Sequence, residues 1–61
     1  MIIFKVNVIG YNVDTFRDNY LGYITKEENG HYGEGIFTLK APKEVYDEIS
    51  NLKEECIDII E

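Results

Sequence analysis

The chain has no tryptophan, one proline, one histidine and one cysteine. Each scarcity removes a class of explanation. A single cysteine excludes an intrachain disulfide. One histidine and one cysteine offer no cluster for a structural metal, so no metal or cofactor is expected. A membrane-spanning helix needs about 20 consecutive apolar residues, and no stretch approaches that. Met1, Ile2, Ile3 and Phe4 run straight into Lys5, which lacks the basic n-region and long apolar h-region of a secretory signal. With a free thiol, these features point to a reducing cytoplasm. Cations are scarce too: 6 Lys and Arg stand against 12 Asp and Glu, a net charge of −6. Duplex nucleic acid needs a basic patch for its phosphates, and an anionic membrane surface needs the same. Neither is expected as a partner.

What remains is a 61-residue chain, enough for one small domain. Such a chain buries only about 60% of the surface its unfolded form exposes. Its core supplies a few kcal/mol at most, and small domains usually carry a further stabilising device. Without disulfide or metal, association is the common remedy, which raises the expectation of a homodimer.

The acidic charge is local. Residues 1–40 hold five acids and four bases, whereas residues 41–61 hold seven acids and two bases. A basic protein surface is the natural complement of that last third. Solubility alone is the competing explanation.

The same third, residues 42–61, reads as one amphipathic helix. Pro42 suits a first helical turn, and Glu44 places negative charge near the positive end of the dipole. Val45, Ile49, Leu52, Cys56 and Ile59 recur at spacings of four and three, which puts them on one stripe at about 100° per residue. Ile60 widens the stripe. Glu48, Glu55 and Asp58 stand on the opposite face with the other acids. Ile57 lies on the flank, where a second helix would meet it in a dimer.

Upstream, Ile2, Phe4, Val6 and Val8 alternate with Ile3, Lys5, Asn7 and Ile9. Period two with β-branched residues predicts a strand with its even positions inward, and Tyr11 and Val13 are candidates to prolong it. Residues 12–19 are dense in polar side chains and read as a loop, with at most one helical turn capped by Asp14. Phe16 is expected to tuck under the sheet, because an exposed Phe needs a reason.

Residues 20–28 and 31–40 flank Asn29-Gly30, the strongest short hairpin signal. A two-residue turn there sets Glu27 opposite Tyr32, Ile24 opposite Gly35 and Tyr20 opposite Leu39. Tyr20, Gly22, Ile24, Gly35, Phe37 and Leu39 then share the core face. Leu21, Tyr23, Tyr32, Glu34 and Ile36 share the other, joined by Ile3, Ile9 and Tyr11. The predicted architecture is α+β: a three-stranded antiparallel meander (βββα) with one C-terminal helix packed on one face.

A sheet this thin leaves its far face open, and an antiparallel sheet tolerates that when the face is polar. Here the face is apolar in part and rich in tyrosine, which suits a protein contact. Scattered tyrosines are also ordinary in strands.

Signals for chemistry are weak. His31 beside Glu27, Glu28 and Glu34 is the one acid–base or metal constellation, and a convex turn supplies no pocket. Cys56 on an apolar stripe is a packed thiol, not an activated one. Gly30, Gly33 and Gly35 lie in a hairpin rather than ahead of a helix, so they form no phosphate loop. Stacking of single-stranded bases on the tyrosines requires a positive groove, and Lys5 and Lys26 are too few.

The functional expectation is a non-enzymatic protein–protein interaction module, an inhibitor or adaptor of the kind phages carry. Contact would run through the tyrosine-bearing sheet face (Ile3, Ile9, Tyr11, Leu21, Tyr23, Tyr32, Glu34, Ile36), the acidic helix face (Glu48, Glu55, Asp58), or both. A homodimeric subunit of a larger assembly is the alternative.

Overall fold

The computed structural model describes residues 1–10, 12–29, 33–52 and 57–60. Their elements run β1 (Ile2–Val8), α1 (Asn12–Asn19), β2 (Ile24–Asn29), β3 (Gly35–Ala41), α2 (Lys43–Asn51) and β4 (Ile57–Ile59). The protein is therefore α+β, with four strands and two helices rather than three and one. The strands form one sheet in the order β2-β3-β1-β4, and each neighbouring pair is antiparallel.

That order overturns the meander. β1 does not pair with β2; it lies between β3 and β4. Since β1 and β2 are both antiparallel to β3, they run parallel with β3 between them, joined through α1. Likewise β3 and β4 run parallel with β1 between them, joined through α2. Two interleaved units of this kind make the split βαβ arrangement.

β1 follows its alternation from Phe4 onward: Phe4, Val6 and Val8 are buried, while Lys5 and Asn7 are only half-buried; Ile2, expected inward, is exposed at the strand's start. Phe4 lies opposite Leu39, Val6 opposite Phe37 and Val8 opposite Gly35. Both helices cover this face, and Phe16, Tyr20, Val45 and Ile49 join the strand residues in one buried cluster. Phe16 packs against Tyr20 and Phe37 at centroid distances of 4.8 and 5.1 Å, and Phe4 meets Tyr46 edge-on at 5.0 Å. Each fully buried side chain of this size contributes roughly 1.5–3 kcal/mol.

Residues 12–19 are a helix, not a loop. Val13, Phe16 and Tyr20 sit at spacings of three and four, which gives a narrow but sufficient stripe. Asp14 in the first turn and Arg17 in the last suit the dipole. The chain enters through Gly10 at φ +68°, in a turn closed by the Val13 N–H donating to the Gly10 carbonyl.

The predicted C-terminal helix over residues 42–61 is shorter. Pro42 is its N-cap, with φ −62° and ψ 159°, and α2 ends at Asn51 with Leu52 as C-cap. Ile57 and Ile59 then pair with Val8 and Val6 as β4. A helix continuing past residue 52 would leave β1, with its buried Phe4, Val6 and Val8, as an unpaired edge. Ile-Asp-Ile also fits a strand, where β-branched residues pack well. Cys56 lies outside the described residues.

The β2–β3 pairing corrects the hairpin. The strands stop at Asn29 and resume at Gly35, so five residues connect them. Glu27 lies opposite Phe37 and Glu28 opposite Ile36. A bulge at Thr25, whose hydroxyl donates to the Thr38 carbonyl at 3.1 Å, restores Ile24 to the core side opposite Leu39. Among the described residues no helix is long and apolar enough to cross a membrane.

Candidate interaction surfaces

The helices and the sheet present two chemically different surfaces. On the helix side, α1 carries Asp14, Arg17 and Asp18, and α2 carries Lys43, Glu44, Asp47 and Glu48. Arg17 is fully engaged. Its Nε and Nη2 donate to the two carboxylate oxygens of Glu27 at 2.8 and 2.6 Å, and Nη1 donates to Asp14 Oδ1 at 2.7 Å. The guanidinium stands 6.0 Å from the centre of the Phe37 ring. This fork explains why Glu27 tolerates the helix side of β2: it clips α1 to the sheet. Arg17 holds the Glu27 carboxyl below its ordinary value, and the two carboxylates hold the guanidinium charged.

Tyr20 joins the helices. Its hydroxyl donates to Glu48 Oε1 at 3.1 Å. Burial, and then the bond to Glu48, raise the phenol above its ordinary value. A cleft of about 220 Å³ lies beside this bond, floored by Phe16 and rimmed by Thr15, Asn19 and Glu48. It offers one carboxylate and one phenol, with no base paired to a nucleophile. Among the described residues no three His, Cys, Asp or Glu side chains converge as metal ligands do.

On the sheet side, no described residue covers the face away from the helices. The register assigns it Ile3, Lys5 and Asn7 from β1, Ile36, Thr38 and Lys40 from β3, Lys26 and Glu28 from β2, and Asp58 from β4. Ile60 continues beyond β4, its N–H donating to the Lys5 carbonyl at 3.0 Å. Ile3 is 70% exposed, Ile60 48% and Ile9 40%. Lys26 and Glu28 pair at 3.0 Å, and this pair holds the Glu28 carboxyl below its ordinary value, with Lys5 adding to the effect. The Asn7 side-chain oxygen is buried and has no hydrogen-bond partner among the described residues.

The expected contact residues divide accordingly. Ile3 and Ile36 lie on the open face with Ile9 just past the far end of β1, and Asp58 is on β4 instead of standing on a helix. Leu21 is 66% exposed but sits on the turn after α1. Tyr23 is half-buried against the core. Glu34 lies just before β3, and Glu48 is on α2. Tyr11, Tyr32 and Glu55, with His31, lie outside the described residues. Among the described residues the open face is thus one of isoleucine and mixed charge. Sequence reasoning passed over Lys5, Asn7, Lys26, Glu28 and Ile60; the alternation of β1 already marked the first two as outward.

Comparison with known protein families, with curated proteins and with solved structures returns no match. The split βαβ connectivity hosts many functions and by itself selects none.

Proposed function

We propose that the chain is a non-enzymatic protein-binding module, of the inhibitor or adaptor kind, whose acidic helix layer lies against a basic surface of another protein. The observation that supports this reading is the separation of charge between the two sides. The two helices carry five carboxylates against Arg17 and Lys43, and Arg17 is already taken by Asp14 and Glu27. Asp18, Glu44 and Asp47 are exposed and have no ion-pair partner among the described residues. Three of the five lysines, Lys5, Lys26 and Lys40, are on the opposite side of the molecule, where they outnumber the two carboxylates Glu28 and Asp58. A directional field of this kind steers and orients a basic partner.

The test compares wild type with Asp18→Lys/Asp47→Lys as bait in lysate of the source organism. Partners captured at about 50 mM salt should be released at about 300 mM, where screening shortens to well under 10 Å. The charge-reversed bait should fail to capture them at either concentration. Capture that survives both salt and charge reversal would overturn the assignment to the helix layer.

A further inference from the structure

We propose that the uncovered face of the sheet binds a second copy of this chain, the two sheets packing face to face about a two-fold axis that runs across the strands. The inference rests on the order of side chains on that face and is independent of the helix layer.

The ladders place the outward side chains in rows. Lys26, Thr38, Lys5 and Ile60 form one row across β2, β3, β1 and β4. Glu28, Ile36, Asn7 and Asp58 form the next. Outside the first row stand Lys40 and Ile3, which are paired. The paired rows end at Val8 and Gly35; continued alternation past them would bring Glu34 and Ile9 to the same face. One end of the face is therefore basic and the other acidic, with an isoleucine at each.

Two faces packed by a two-fold must have the axis in the plane between them. An axis across the strands, midway between the two inner rows, keeps each strand over its own copy and exchanges the rows. Lys26 then meets Glu28 of the second copy, Lys40 meets Glu34, and Ile3 meets Ile9. Lys5 arrives over Asn7. Sheets packed in this way sit about 10 Å apart, within reach of a lysine from one side. An axis along the strands keeps the rows and exchanges the strands, which sets Glu28 against Asp58, like charge on like. Charge complementarity thus selects both the occupant and the axis.

The area sets the strength. β1 and β3 at about 23 Å, β2 at about 20 Å and β4 at about 10 Å, spaced about 4.8 Å apart, give a projected face of roughly 370 Å², against about 800 Å² per partner in a standard interface. Dissociation is accordingly expected in the micromolar range.

Sedimentation equilibrium on the full chain, from about 5 μM to 1 mM, tests this with two variants. Wild type should reach a dimer. Glu28→Lys places lysine against lysine across the axis and should raise the dissociation constant at least about tenfold. The charge swap Lys26→Glu/Glu28→Lys should return it to within about threefold of wild type, with circular dichroism unchanged in all three. A wild type that stays monomeric at 1 mM overturns the proposal. So does a dimer indifferent to Glu28→Lys, or one that the swap does not restore. Asp18→Lys/Asp47→Lys should leave the dimer intact, so failure here and failure of the helix-layer reading are read separately.

Discussion

Tyr20 is the side chain on which the helix layer depends most. It is buried at the end of α1, stacks on Phe16, and reaches α2 through Glu48. Because burial and Glu48 raise its phenol above the ordinary value of 10.0, the folded state prefers the protonated form. The resulting stability is complete below the unfolded value of about 10 and is lost as pH rises through the higher folded value. Tyr20→Phe should therefore lose about 1 kcal/mol at neutral pH, since one hydrogen bond goes. Its stability should also fall less steeply than wild type's above about pH 10. Urea midpoints at pH 7 and about pH 10.5 check both parts, and equal alkaline slopes would contradict the assignment. Arg17 works at the same scale: one guanidinium fastens α1 to itself and to β2.

Among the elements, α1 approaches the start of β3 closely at Gly35. A Cβ on Gly35 would lie 3.2 Å from both Phe37 and Val13 side chains. Gly35→Ala should therefore cost about 1–3 kcal/mol through overpacking, although Gly35 needs no positive φ. A shift in urea midpoint with unchanged m-value would register it. The same approach shows what could be read beforehand. The alternations of β1 and β3 and the inward Phe16 follow directly from residue order, because burial of one face enforces period two. α1 was obscured because only Val13, Phe16 and Tyr20 mark its inner stripe among polar residues. The hairpin was misplaced because Asn29-Gly30 is a strong local signal, whereas the register is set by Phe37 and Leu39 against β1. In the last third, spacings of three and four fit one long helix as well as a helix followed by Ile-Asp-Ile. What separates them is the free edge of β1, and that is visible only once the sheet order is known.

At the scale of the molecule, the split βαβ order sorts the charge. Both helices lie over one face and carry the unpaired acids outward, while no described residue covers the lysines and isoleucines of the other. The expectation of an acidic protein contact survives this sorting as a proposal about the helices. Of the expected tyrosine patch, Tyr23 turns to the core while Tyr11 and Tyr32 lie outside the described residues, and the described open face carries isoleucines. The two-surface arrangement is tested most directly by isoleucine methyl spectra followed through dilution from about 1 mM to 10 μM, a range bracketing a micromolar dissociation constant. Resonances of Ile3, Ile9, Ile36 and Ile60 should shift together along one binding curve, while Ile24 and Ile49, on the helix side, stay in place. A spectrum unchanged by dilution, or one in which Ile24 and Ile49 move instead, would contradict a sheet face built to meet its own copy.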